Sequence, residues 1–89
     1  FPFAAVSKAS VMGKNEGFVK LVSEKKYRQI LGVHMVGPQV TELVGEGVAL
    51  IGLEATAADL SNLIHPHPTV SEGIMEAAHA LYNGAAIHI

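Results

Sequence analysis

Cysteine is absent from these 89 residues, which excludes a disulfide framework and the thiolate ligands of the common structural zinc sites. Long apolar runs are missing too, and none approaches the ~20 residues that a membrane span needs. There is no basic-plus-apolar leader and no cleavage-site pattern, so nothing points to secretion and a cytoplasmic or matrix-type compartment is expected. No Gly-x-Gly-x-x-Gly turn occurs, which leaves this polypeptide without the phosphate-binding turn of a dinucleotide domain. Positive charge is lacking over most of the chain: Lys8, Lys14, Lys20, Lys25, Lys26 and Arg28 all precede residue 29, and six acids with no base follow. With aromatics at 6% and Glu16 and Glu24 tempering the bases, a nucleic-acid footprint is not supported, and the basic stretch reads as a solvated hairpin face. No repeat or low-complexity tract appears.

What the chain does have is apolar residues in excess. A hydrophobic fraction of 49% and a mean hydropathy of +0.35 are high for one domain, residues 1–89, that buries roughly two thirds of its unfolded surface. Apolar surface left over after that burial is expected to meet another protein surface, first of all a second copy.

The pattern runs strands first, helices afterwards. Phe1 to Val6 reads as a short strand, and Ser7 to Asn15 as a helical turn and loop closed by Asn15-Glu16-Gly17. Phe18 to Ser23 and Gln29 to Val36 are β-branched and apolar around a charged link, which predicts an antiparallel hairpin. Strict alternation would set Leu31, Val33 and Met35 on one face and Ile30, Gly32 and His34 on the other; lone His34 is expected to be a hydrogen-bonded structural residue. Gly37-Pro38 suits a helix start with proline at the first position. The stripe Val40, Leu43, Val44, Gly47, Val48, Leu50 and Ile51 then predicts a helix with Glu42 and Glu46 on its wet side and Gly52 as C-cap. Thr56 to Asp59 is a capping-box start for a short helix reaching Leu63. A third helix is expected from Val70 to Tyr82, with Val70, Ile74, Ala77, Ala78 and Leu81 inward, Glu72, Glu76 and His79 on another face, and Asn83-Gly84 ending it. The tail from Ala85 to Ile89 has no assigned place. The sum is an α+β domain: a small antiparallel β-sheet packed against two to three helices.

Chemistry concentrates in His65-Pro66-His67-Pro68-Thr69-Val70-Ser71-Glu72. Pro66 and Pro68 hold φ near −65° and keep the preceding histidines out of the α region, so both imidazoles sit on a stiff extended arm. An imidazole on such an arm, with a carboxylate five residues on, is how an oriented general base is built. Glu72 has a second reading, as the carboxylate of a capping box that exchanges bonds with Thr69. A zinc site from His65, His67 and His79 lacks cysteine and a recognisable spacing for a further ligand. Glu76-Ala77-Ala78-His79 matches one step of a di-iron bundle but has no second copy.

The octet and its flanks resemble the carboxy-terminal interface domain of the flavin-dependent disulfide oxidoreductases, most closely the dihydrolipoamide dehydrogenases. The His-Pro-Thr-x-x-Glu signature falls on His67, Pro68, Thr69 and Glu72. Phe1-Pro2-Phe3, Gly17-Phe18-Val19-Lys20, Ile30 to His34, Gly37-Pro38, Glu42-Leu43 and Ala58-Asp59-Leu60 follow in the family's order. Gly73, where glutathione and trypanothione reductases carry a second glutamate, and the extra His65 favour the lipoamide branch. Pro66 and Val70 stand where alanine and leucine are common, and Val6 where asparagine is usual.

That resemblance implies a homodimer in which His67 and Glu72 act as the acid/base pair of the partner subunit's active site, with His65 and Pro66 near the partner's flavin. It implies oxidation of dihydrolipoamide in a parent enzyme that uses FAD and NAD, and a His67-Pro68 bond that is often cis in the family. Neither cofactor is expected on this chain itself, which reads as a fragment of the interface domain without catalytic activity of its own. No metal, nucleic-acid or membrane partner is expected. The competing readings are a free-standing interaction module, with the octet a rigid loop and cap, and a small His-based metal-binding domain.

Overall fold

The computed structural model describes residues 1–87. Two strands, β1 (Phe18–Ser23) and β2 (Ile30–Val36), pair antiparallel. Around them lie α1 (Ser7–Val11), α2 (Val40–Gly52), α3 (Ala57–Ser61) and α4 (Glu72–Asn83). α2 packs on β2, α4 on β1, and α3 on α4, giving the expected α+β arrangement of one sheet covered on one side by helices.

The hairpin departs from strict alternation at one point. Val22 pairs with Gly32 and Ser23 with Ile30, so Leu31 is an extra residue in the ladder. That bulge turns Leu31 outward to 56% exposure and swings Ile30 inward to full burial. Ile30 therefore joins Val33 and Met35 on the helix-covered face, opposite to its expected side. The far face presents Phe18, Val22, Leu31 and Val36 to solvent. His34 is on this face, across from Lys20; it is exposed, and its ring has no hydrogen bond among the described residues, against the structural role expected of it.

The amino-terminal stretch is strand-like only at its start. Val19 N–H donates to Phe1 O at 2.8 Å, Phe3 N–H to Gly17 O at 3.0 Å, and Pro2 bridges Phe18. Phe3–Ala5 then winds into a 3-10 turn, which drops the Phe3 ring into the core. Gly37 and Gly73 flank that ring: a Cβ at Gly37 would lie 2.6 Å from Phe3 Cδ2, and one at Gly73 3.0 Å from Phe3 Cε1. Val6, Ala9, Val19, Leu50, Leu60, Val70, Ile74, Ala77 and Ala78 complete the cluster.

The helix ends differ in detail from expectation. α2 starts at Val40 behind a left-handed Gln39 (φ 63), so Pro38 lies outside the helix instead of at its first position. Its end is a Schellman closure, with Ala55 N–H donating to Leu50 O and Glu54 N–H to Ile51 O. Glu54 (φ 57) takes the left-handed place, and Gly52 is merely the last helical residue. The Thr56/Asp59 capping box forms at α3 as predicted. α4 starts at Glu72, two residues later than expected. Of the residues expected inward, Val70 just ahead of it and Ile74, Ala77 and Ala78 within it are buried, Leu81 is half-buried, and left-handed Gly84 closes the helix. Residues 88 and 89 of the apolar tail lie outside the described residues.

Candidate functional site

The arm from His65 to Ser71 follows α3 after a short link and turns into α4, with Pro66 and Pro68 stiffening it and His67-Pro68 cis. Its geometry is set by two carboxylates. Glu72, in the first turn of α4, approaches His67 Nδ1 with Oε1 at 2.8 Å and Oε2 at 3.0 Å. The same carboxylate accepts the Thr69 N–H at 2.9 Å. Both readings of Glu72 are thus partly realised, because half of the expected capping box is present. The other half is not: Thr69 Oγ1 donates to Pro66 O at 2.7 Å and lies 3.0 Å from Ser71 Oγ, so the hydroxyl braces the arm instead of capping the helix.

The tautomer follows from this arrangement. A carboxylate can only accept, so His67 Nδ1 carries the proton it donates to Glu72, and Nε2 holds the free lone pair. The His67 side chain is 66% exposed while Glu72 is 12% exposed. The ring is exposed and rests on a shielded carboxylate.

The second carboxylate was not legible from the sequence. Glu46, assigned to the wet side of α2, has its Oε2 2.6 Å from His65 Nε2, and the His65 side chain is only 7% exposed. His65 is therefore turned into the fold. Its Nε2–H donates to Glu46, and its Nδ1 is buried with no hydrogen-bond partner among the described residues. The pair is 19 residues apart on different elements, and no local pattern announces it.

Glu76 is a third acid that sequence reasoning left on an unassigned face. It is 2% exposed, accepts the Ile87 N–H at 3.1 Å, and lines a small crevice with His67, Glu72, Ala5, Val6 and Ser7. On the far side of the arm an open groove of about 290 Å³ runs between Met12, Leu43, Pro68 and Val70 with Lys8 at its edge.

A metal centre is not assembled. No group of three histidine, aspartate or glutamate side chains with ligand geometry occurs among the described residues. His65 and His67 are taken by Glu46 and Glu72, and His79 Nδ1 lies 3.4 Å from the Asn83 amide. Among the described residues the sheet has two antiparallel strands, unlike the parallel sheet with a phosphate-binding turn of the doubly wound dinucleotide-binding fold.

Comparison with known proteins gives the site a context. A family model described as pyridine nucleotide-disulphide oxidoreductase, dimerisation domain, matches residues 1–78. The chain is 50% identical over 88 residues to a dihydrolipoyl dehydrogenase of Bacillus subtilis, covering 99% of this chain and 18% of that protein. It is 42% identical over 88 residues to a mitochondrial dihydrolipoyl dehydrogenase of Caenorhabditis elegans, again covering 99% and 18%. The crystal structure of LpdA from Mycobacterium tuberculosis superposes with a TM-score of 0.86 at 25% identity, over 91% of this chain and 18% of that one. The chain thus spans less than a fifth of the length of these relatives. Among the described residues, no helix is long and apolar enough to cross a membrane.

Proposed function

The chain belongs to the dimerisation-domain family of the pyridine nucleotide-disulphide oxidoreductases, and from that membership we propose that it is the interface domain of a dihydrolipoyl dehydrogenase, supplying His67 and Glu72 as acid/base pair to the active site of a partner subunit. The observation that carries this reading is His67 itself, held at Nδ1 by Glu72 and exposed at its other edge. The ring is mostly exposed while its carboxylate is shielded, which leaves it within reach of a group on another subunit.

The chemistry fits. Oxidation of a dithiol by thiol–disulfide exchange needs the thiolate as nucleophile, so the proton of the incoming thiol must be removed. His67 Nε2 accepts that proton; Glu72 fixes the ring and balances the imidazolium that forms. The sulfur, now a thiolate, attacks a disulfide carried elsewhere in the parent dimer, since these residues include no cysteine. That S–S bond breaks and one of its sulfurs leaves as a thiolate; the second substrate thiol then displaces the other, so the substrate ends as a disulfide and the attacked pair as two thiols. FAD and NAD, bound by parts of the parent outside these residues, would supply the redox capacity that reoxidises the pair. Pro66, exposed on the arm, faces the partner's flavin side in this reading, whereas His65 acts from behind it. The parent works as a homodimer on dihydrolipoamide, in the cytoplasm or a mitochondrial matrix.

The test is His67→Gln in the full-length, flavin-loaded dimer. Oxidation of dihydrolipoamide should slow by ~10² to 10⁴-fold, the usual contribution of a general base, with flavin content retained. Unchanged turnover in a correctly dimerised enzyme would reduce the octet to a stiff turn and leave the interaction-module reading in its place.

A further inference from the structure

The His65–Glu46 pair, in which His65 is buried and Glu46 is 28% exposed, has no part in the chemistry just described, and its construction is unusual for a purely stabilising contact. A ring N–H donating to a carboxylate 2.6 Å away, with the other nitrogen buried and without a hydrogen-bond partner among the described residues, is an arrangement that well-packed apolar side chains often match in stability. Such a pair is better explained by what it holds in place.

We propose that Glu46 is a positioning residue for His67, acting through His65; this rests on the reading of His67 as the base. His65 lies two residues before His67, and the link between them is Pro66, whose ring fixes φ and leaves little slack. Seen from α2, Glu46 pulls the amino-terminal end of the arm inward. From α4, Glu72 holds the carboxy-terminal end through Thr69 N–H and His67 Nδ1. The arm is clamped by carboxylates from two helices, and the outward direction of His67 Nε2 depends on both. α2 is itself seated on the sheet at Gly47, where a Cβ would meet Val33 at 3.0 Å, so the anchor on which Glu46 sits is fixed.

The experiment uses the full-length, flavin-loaded dimer and three variants. Glu46→Ala should slow dihydrolipoamide oxidation by about 10- to 100-fold, the cost of misplacing a catalytic group by about 1 Å. NADH oxidation by an artificial electron acceptor, which needs no base at the dithiol, should be unchanged. Glu46→Gln keeps an oxygen that accepts the His65 Nε2–H and should restore turnover to within about threefold of the native rate. The deciding measurement is made in the His67→Gln background, where Glu46→Ala should cause no further loss, because residues that act as a unit are non-additive. If Glu46→Ala loses flavin or dimer, His65→Phe takes its place in the same cycle, with the same expectation. A full additional loss in the His67→Gln background, or a Glu46→Ala turnover within twofold of native beside a slow His67→Gln, overturns the positioning role alone. A silent His67→Gln overturns this inference together with the function on which it rests.

Discussion

Glu72 and His67 are joined at 2.8 Å and 3.0 Å through both carboxylate oxygens, and one of those oxygens also takes the Thr69 N–H. Three functions meet in that group: it orients the ring, fixes its tautomer and ties the arm to the first turn of α4. A carboxylate can do all of this because both oxygens accept.

Glutamine has one accepting oxygen, and its NH₂ cannot face an N–H donor. One glutamine oxygen can still stand between His67 Nδ1 and Thr69 N–H, as Oε2 does. Glu72→Gln nevertheless loses the second acceptor facing the ring, where an NH₂ would oppose the Nδ1–H, and it removes the negative charge beside the ring. Turnover of the full-length dimer is expected to fall by at least tenfold. Thermal unfolding should register a loss of about 1 kcal/mol, the net worth of one hydrogen bond. Native turnover in this variant would show that the pair needs no charge.

The two interior glycines of α2 make opposite predictions. A Cβ at Gly45 would have nothing within 4 Å, whereas one at Gly47 would lie 3.0 Å from both Val33 Cβ and Cγ2. Replacing glycine by alanine in a helix interior gains about 1 kcal/mol of propensity, and overpacking a core contact costs about 1 to 3 kcal/mol. Gly45→Ala is expected to raise the melting temperature and Gly47→Ala to lower it or leave it unchanged. Calorimetry on the two variants checks both signs.

The capping box should make folding acid-sensitive in a defined window. The Thr56 N–H, which donates to Asp59 Oδ2 at 2.9 Å, and then the Thr56 side chain hold the Asp59 carboxyl below its ordinary 3.8. At the hairpin link slight burial works to raise Glu24, but backbone N–H groups of Lys26, Tyr27, Gln29 and Arg28 outweigh it and hold that carboxyl below its ordinary 4.5. A carboxyl depressed in the folded state contributes stability that is full above its unfolded value and fades as pH drops through the folded one. Urea midpoints should be flat above about pH 5 and fall below it. The double variant Asp59→Asn, Glu24→Gln should start lower at neutral pH and fall less steeply in acid. An unchanged slope would remove these two groups as its source.

What could be read from the chain beforehand was what local period and punctuation determine. The hairpin, α4 with its inward Ile74, Ala77 and Ala78, and the Thr56/Asp59 cap all rest on neighbours within a few residues. The missed features depend on distant partners. The Leu31 bulge reverses Ile30 because the helices cover that face, and nothing in the alternation signals it. Phe3 leaves its strand because Gly37 and Gly73 open a slot for its ring. Glu46 looked solvated because its partner is 19 residues away on the arm. His67 and Glu72 were legible since five residues and two prolines bring them together almost unaided.

The exposed stripe of α2 carries the last prediction. Val44, Val48 and Ile51 are 39%, 69% and 41% exposed and follow one another at helical spacing, so they form one apolar row. Among the described residues that row is left exposed, and the matching family is described as a dimerisation domain. A second copy laid against it as a C₂ pair would place the same side chains on both sides of the contact. The 89-residue chain should sediment as a dimer at high micromolar concentration. Val48→Asp puts a charge at the centre of the row, where it would have to be desolvated without a partner, and should shift the population to monomer. The far-ultraviolet circular dichroism should be unaltered, because residue 48 faces away from the core. A compact monomer from the unsubstituted chain at that concentration would mean that the stripe alone does not hold two copies together and that dimerisation depends on surfaces elsewhere in the parent.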